Sequence, residues 1–379
     1  MMNQIGNQQM LREINKSLLL NNIYEQGPIS RVDLARKTRL SPTTVSVLME
    51  EAIREGLVRE TGTAGSGVGR RMTLLDINAA GGCVLGVDLS NAPARCVLLD
   101  LRGNLLASQP LQPAQPLFGP EAMCSELPQL IRAFLEEQET PLATIRWMGV
   151  SIPGRIDEKR ENVVNSTVLG LENFPLRTKL YEEFSIPMHL VNDLDAAGFA
   201  ERFNGTAKGL QTIVYILIDY GIGAGLVLNN QIYRGRHDRA GRIREFSRFS
   251  TANLSKRLLE TYPDTFGDVR DEEPLVVRRF VDLGMQGAEP FAGELEEIIE
   301  TIASYCGHVL QLLSPEQLIL GGWIGESEPF FTRLAERIQS REQAIVPTPV
   351  HSPRWKEYGA SIGAATIGLH RMFKSRTMS

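Results

Sequence analysis

Apolar residues recur at helical spacing over Gln8–Glu25 (Met10, Ile14, Leu18, Leu19, Ile23), and Gly27-Pro28 closes the run. Ser30 then stands as an N-cap before a short periodic stretch, Arg31–Lys37. After the turn Thr38-Arg39-Leu40, Ser41-Pro42 supplies a cap and a first-turn proline for a third helix, Thr43–Glu55. Val45, Leu48, Met49 and Ile53 fall on one face of it and are the expected core contacts. Gly56–Glu60 and Arg71–Asp76 read as short strands around the glycine-rich loop Thr61–Gly69, with Arg70 and Arg71 at its edge. Three helices and a two-stranded wing in this order predict a winged helix-turn-helix over residues 1–78.

The pattern changes beyond that point. Val84–Leu89 and Cys96–Asp100 read as paired strands, Arg102-Gly103-Asn104 after them as a turn signal, and Gln109–Pro120 as a proline-rich connection. An amphipathic helix over Ala122–Glu137 precedes a buried strand, Trp147–Ile152. Ser185–Val191 is a further strand, and Asn192-Asp193 opens the alanine-rich helix after it. Thr212–Ile218 is a strand, Asp219–Gly225 a glycine-rich turn, and Leu226–Tyr233 a returning hairpin with Asn229-Asn230 at its tip. Leu318–Gly322 ends another strand, and Trp355–Met372 is a helix rich in glycine and alanine. Strands alternating with helices indicate an α/β body, expected as lobes over residues 79–200 and 201–379.

Composition narrows the class. The chain has 379 residues, 42% hydrophobic and 22% charged, and a net charge of -5, which is ordinary for a globular protein of two or three domains. No apolar run approaches the ~18–20 residues that span a bilayer, and the Gln/Asn-rich start lacks a signal peptide's apolar core, so a cytoplasmic location without membrane attachment is expected. Residues 1–78 carry ten Lys/Arg against eight Asp/Glu, a net +2 that leaves -7 for the rest. The ordered motif, rather than that small charge, points to double-stranded DNA. Arg39, Ser41, Thr43, Thr44 and Ser46 sit where a recognition helix meets base edges and phosphates, and Arg70 and Arg71 where a wing meets the backbone. Cys83, Cys96, Cys124 and Cys306 are scattered, which argues against a disulfide framework or a cysteine-rich zinc site.

Asn192-Asp193 carries the body's candidate chemistry. A polar pair at a strand's end beside a helix N-terminus suits ligand binding in an open α/β sheet. Asp193 could act as a base toward a hydroxyl that Asn192 orients. The same pair could simply cap its helix. Glycines 221, 223 and 225 could admit a phosphate to the backbone or let a strand pack closely. A strand rather than a helix follows them, which disfavours a dinucleotide fold.

In this order the pieces resemble the ROK family (repressors, open reading frames, kinases), whose body is an actin-like, ribonuclease-H-type ATPase fold. Gly149–Asp157 resembles the family's GxxxPGxxD segment, Asn192-Asp193 its NDxNAA site with Asp195 for the second Asn, Gly221–Gly225 its second phosphate loop, and Leu320-Gly321-Gly322 its nucleotide-end glycine pair. The winged head is similar to that of the family's sugar-responsive repressors of the xylose and N-acetylglucosamine type. The departures matter as much. Asp88–Ala92 replaces the kinases' DxGGT phosphate loop and lacks both glycines, so ATP use is not expected. In the family's AGExGH segment the sugar-binding Glu is Arg242 here and the sugar- and zinc-binding His is Glu245. The zinc cluster CxCGxxGC is missing, and the family's sugar-contacting Asn corresponds to Thr167. The resemblance therefore implies no metal, no cofactor, and a vestigial Asp193 in place of a working catalyst. Arginine suits carboxylate and phosphate groups, so a sugar phosphate or sugar acid is the expected effector, held by Thr167, Asn192, Asp193, Arg242 and Glu245. The expectation is a repressor of carbohydrate-related genes that forms a homodimer or a higher homo-oligomer. The alternatives are an ATP-dependent sugar kinase with an accessory DNA-binding head, or a module controlled by a protein partner.

Overall fold

A computed structural model describes residues 2–64, 72–219, 222–243, 247–341 and 347–373. It forms two compact units: Met1–Val191 with Ala364–Ser379, and Asn192–Gly363.

The head lies in the first unit. Helix α1 (Met2–Gln26), β1 (Ile29–Ser30), α2 (Arg31–Thr38), α3 (Pro42–Arg54), β2 (Val58–Ala64) and β3 (Met72–Ile77) follow one another, and the strands pair in the order β1-β3-β2. Both expected caps form: Ser30 accepts from the Asp33 amide and Ser41 from the Thr44 amide. The buried side of α3 is Val45, Leu48, Met49 and Ala52; Ile53 is only half-buried. Along α1 the inward stripe is Leu19, Leu20 and Ile23, whereas Met10 and Leu18 face outward. Lys16 explains the shift: it is buried, and its Nζ reaches Glu51 at 2.9 Å and Glu55 at 2.6 Å. A lysine stem can cover apolar surface while its tip stays paired, which an apolar-periodicity reading does not anticipate.

The rest of the first unit is a five-stranded sheet, with β4 (Cys83–Asp88), β5 (Arg95–Asp100), β6 (Leu105–Pro110), β7 (Ile145–Ile152) and β11 (Met188–Asn192) in the order β11-β7-β4-β5-β6. Three short strands, β8 (Arg155–Ile156), β9 (Val163–Ser166) and β10 (Leu171–Phe174), make a separate small sheet. The single helix expected over 122–137 is two, α4 (Gly119–Cys124) and α5 (Glu126–Glu137). Pro128 accounts for the break, because its ring opposes the carbonyl four residues back, at Cys124 where α4 ends. Helix α6 (Leu176–Phe184) leads into β11.

The second unit begins with α7 (Asp193–Asn204) and repeats the plan. Strands β12 (Ile213–Ile218), β13 (Ile222–Leu228), β14 (Gln231–Ile232), β15 (Gln317–Gly322) and β16 (Val350–His351) lie in the order β14-β13-β12-β15-β16. In both sheets the first strand is central, pairs antiparallel with the second and parallel with the fourth. Helices α8 (Thr251–Thr261), α9 (Pro263–Phe266), α10 (Glu273–Met285), α11 (Phe291–Leu313) and α12 (Glu328–Arg341) follow; α13 (Gly359–Phe373) starts in this unit, and from Ala364 on its residues belong to the first. Val214, Ile216 and Ile218 enter one core with Phe280, Ile299 and Cys306, while Ile213 and Tyr215 join Leu194 and Ala197 on the other side. Strand alternation thus buries β12 on both faces.

Gly223 and Gly225, read as part of a turn, lie inside β13, opposite Leu217 and Tyr215. A Cβ on Gly225 would stand 2.1 Å from the Leu194 carbonyl oxygen, so glycine is what lets α7 lie on the strand. Gly221 lies outside the described residues. The hairpin tip is as read: Asn229 and Asn230 both have positive φ (52° and 65°), as a two-residue type I′ turn requires.

Candidate functional site

The head presents the start of α3. Ser41, Pro42 and Thr43 are exposed, and Thr44 and Ser46 half-buried. Arg39 is exposed at the C-cap of α2 in a left-handed conformation (φ 59°). Ser41 Oγ accepts from the Thr44 amide at 3.1 Å and lies 2.8 Å from Thr44 Oγ1. The Thr44 hydroxyl is therefore engaged in capping, which leaves Thr43 and Arg39 as the more available contacts. An open groove of about 360 Å³ runs beside them, lined by Leu11, Arg12 and Asn15 of α1 and by Thr43, Thr44, Val47 and Leu48 of α3. Nothing in the helical spacing of α1 marks Arg12 and Asn15 as neighbours of the recognition helix. Arg70 and Arg71 lie outside the described residues. Replacing Ser41 by alanine should cost the head about 1 kcal/mol, read by urea denaturation followed by circular dichroism; an unchanged midpoint would contradict the cap's role.

In the second unit, Asn192 ends β11 and caps α7, with Oδ1 accepting from the amides of Leu194 (3.1 Å) and Asp195 (3.4 Å). The same oxygen accepts from Arg242 Nη1 at 2.9 Å, and Asn192 Nδ2 donates to Asp193 Oδ1 at 2.7 Å. Capping and site geometry are therefore one arrangement, and Asn192, Asp193 and Arg242 come together. Arg242 is held there by its neighbour. Gly241 has φ +73°, its carbonyl accepts from the Ala224 amide at 2.8 Å, and a Cβ on it would meet the Ala224 oxygen at 1.9 Å. The Arg242 Nε is buried with no hydrogen-bond partner among the described residues. Arg234, eight residues before Arg242, is paired with carboxylates. Its Nε lies 3.2 Å from Asp195 Oδ2 and 3.9 Å from Asp238 Oδ1, so carboxylates offset its charge. Arg244 and Glu245 lie outside the described residues. Thr167, exposed in the turn between β9 and β10, belongs to the first unit.

The degenerate phosphate loop follows β4. Asp88 is fully buried, and its carboxylate accepts from the Ser90 amide (3.0 Å), Ser90 Oγ (2.7 Å), Asn91 Nδ2 (2.7 Å) and, across the sheet, Ser151 Oγ (3.0 Å). A carboxylate has about four acceptor positions; the backbone and side chains of its own loop fill three of them and Ser151 the fourth. Among the described residues, no three His, Cys, Asp or Glu side chains gather as a metal site, and the four cysteines are free. Cysteines matching the family's zinc cluster do not exist in the chain.

Together these features define a class: a winged helix-turn-helix ahead of an actin-like α/β body. Residues 84–243 match the ROK family and residues 12–59 the winged helix-turn-helix DNA-binding family. The chain thus carries a winged helix-turn-helix followed by a ROK family domain. The xylose repressor of Caldicellulosiruptor bescii is 24% identical over 364 residues, covering 89% of this chain and 90% of that one. The DNA-binding transcriptional dual regulator NagC of Escherichia coli is 26% identical over 242 residues, covering 63% of this chain and 59% of that protein. Among solved structures, a ROK family transcriptional regulator described as a homologue of the E. coli MLC protein superposes with a TM-score of 0.79 at 19% identity, covering 96% of this chain and 98% of that one. A ROK family glucokinase of Streptomyces griseus shares the body fold, with a TM-score of 0.60 at 18% identity over 76% of this chain and 99% of its own. No helix among the described residues is long and apolar enough to cross a membrane.

Proposed function

We propose that the protein is a sugar-responsive transcriptional repressor of carbohydrate-related genes, acting in the cytoplasm as a homodimer on a two-fold symmetric operator. The observation that carries this reading is the exposed, Ser41-capped start of α3, set between Arg39 and an adjoining groove in a winged head. Selection of bound sequences from random DNA tests it: half-sites in inverted repeat, about 10 base pairs or a multiple apart, are expected. Recovery of an unrepeated half-site, or of no sequence, would count against it.

The body senses and does not catalyse. Asp88 is closed by Ser90, Asn91 and Ser151, and Asp193 donates nothing to a reaction beyond holding Asn192 or a ligand hydroxyl. No nucleotide and no zinc are required. Incubation with ATP, magnesium and a sugar panel should release no ADP; turnover that Asp193→Asn abolishes would identify a sugar kinase instead.

The effector we propose is anionic, a sugar acid or sugar phosphate. Arg242 stands beside Asn192 with a buried Nε donor that no described residue satisfies, and a planar guanidinium binds carboxylate or phosphate through two parallel donors. A ligand present at about a hundred times its Kd stabilises by about 2.7 kcal/mol, a rise of roughly 5–10 °C in Tm. Gluconate or glucose 6-phosphate should produce that rise and Arg242→Ala should remove it. Stabilisation by xylose, glucose or N-acetylglucosamine alone would overturn the anionic choice.

A further inference from the structure

The head does not hang from the body on a loose tether. The connecting residues form a short helical turn (Ala79–Gly81). Asn78 Nδ2 donates to the Gly56 carbonyl at 2.9 Å, and the Asn78 amide to the Leu57 carbonyl at 2.9 Å. Gly81 lies so close to Gly56 that a Cβ on it would stand 2.0 Å from the Gly56 oxygen. Two arginines of the body sheet then reach back to the head. Arg102, in the turn between β5 and β6, donates from Nη1 to the Tyr24 carbonyl at 2.8 Å and pairs with Asp76 of β3. Arg146, at the start of β7, donates to the Gly81 carbonyl (3.0 Å from Nε, 2.8 Å from Nη2) and from Nη2 to the Glu55 carbonyl at 3.2 Å.

The two head carbonyls have something in common. Tyr24 is in the last turn of α1, and Glu55 is the C-cap of α3. Carbonyls there lack intrahelical partners and lie at the negative end of the helix dipole, so a guanidinium satisfies both the hydrogen bond and the charge. Within the head, Lys16 and Arg12 of α1 hold Glu51 of α3, and Lys16 also holds Glu55. The clamp therefore reaches the recognition helix by two routes, directly through Glu55 and indirectly through α1. The Tyr24 ring packs in addition on His370 and Phe373 of α13, with centroids 5.7 and 5.2 Å apart.

We propose that Arg102 and Arg146 are positioning residues that fix the angle of α3 to the body and so set the half-site spacing the protein accepts. This rests on the reading of the head as DNA-binding, but the clamp itself can be tested without DNA. A bivalent binder gains from its second contact only when its geometry matches the span; a clamped head rewards one spacing, and a loose head accepts many.

The test uses the full chain in a Cys124→Ser background, with spin labels at Glu50→Cys on α3 and Glu136→Cys on α5, both at exposed positions. In the parent the distance distribution should be narrow. Arg102→Ala with Arg146→Ala should broaden it at least twofold, and Arg102→Lys with Arg146→Lys should broaden it less. In parallel, affinity is measured for one half-site and for paired half-sites across a series of spacers. The double alanine variant should bind the single half-site as the parent does but lose about tenfold in its preference for the best spacer over one shifted by half a helical turn. An unchanged distribution, or an unchanged spacing profile in a variant whose distribution has broadened, overturns the proposal. If the alanine pair does not fold, the lysine pair decides by the same two readouts. Parent protein that binds no DNA would remove the proposed function and with it the spacing role, while the distance distribution still reports whether the arginines clamp the head.

Discussion

Thr43→Asp is expected to weaken operator binding about a hundredfold without weakening the head. Thr43 is exposed at the second position of α3, after the Ser41 cap and Pro42. An acidic residue there meets the positive end of the helix dipole, worth roughly 0.3–1 kcal/mol in the head's favour. The same charge would face DNA phosphates and should reduce affinity by about a hundredfold, or ~2.7 kcal/mol. Because stability and binding move in opposite directions, the variant separates a DNA contact from a structural one. Fluorescence anisotropy on a selected operator gives the affinity, and circular dichroism melting gives the stability. A head that melts earlier, or binding within twofold of the parent, would show that the start of α3 does not face the duplex.

The second large effect concerns the ligand site. Gly225→Ala should destabilise the second unit by about 3 kcal/mol, at the upper end for overpacking, because the obstacle is the Leu194 backbone 2.1 Å away rather than a yielding side chain. That corresponds to a fall of about 10 °C in Tm. If α7 yields instead of melting, it lifts the cap residue Asn192 and separates it from Arg242, so the effector response should also vanish. Gly267→Ala is the control: its φ is -63° and the nearest atom is the tip of Arg270, 3.5 Å away. Equal melting temperatures for Gly225→Ala and the parent would refute the close-packing account.

These two positions also mark what the sequence made legible. Thr43 could be placed because caps, turns and helical periodicity are local signals, and Ser41-Pro42 states its own helix start. Gly225 reads as a turn in the sequence because a glycine that serves close packing looks the same, in one dimension, as one that serves a bend. β6 is not apparent in the sequence for a related reason: its leucines at 105 and 106 are exposed, so it shows no alternation, and Pro110 suggests a connection. At the ligand site, Asn192 beside a helix start was visible, and its meeting with Arg242, fifty residues on, followed only from the family resemblance. The pairing of Arg234 with Asp195 and Asp238 was not visible, since charge counted along the chain cannot say which carboxylate a guanidinium faces. The reach of Arg102 to Tyr24 and of Arg146 to Glu55 was equally hidden, because each joins segments far apart in sequence.

The central claim is that the head addresses particular sites in the genome. Formaldehyde crosslinking of the full-length protein in its own cells, followed by sequencing of the recovered DNA, tests it most directly. The account predicts a small set of sharp peaks beside carbohydrate genes, each over an inverted repeat, reduced when the effector's precursor is supplied and absent for Thr43→Asp. Uniform recovery across the chromosome, or peaks that persist unchanged in Thr43→Asp, would contradict it.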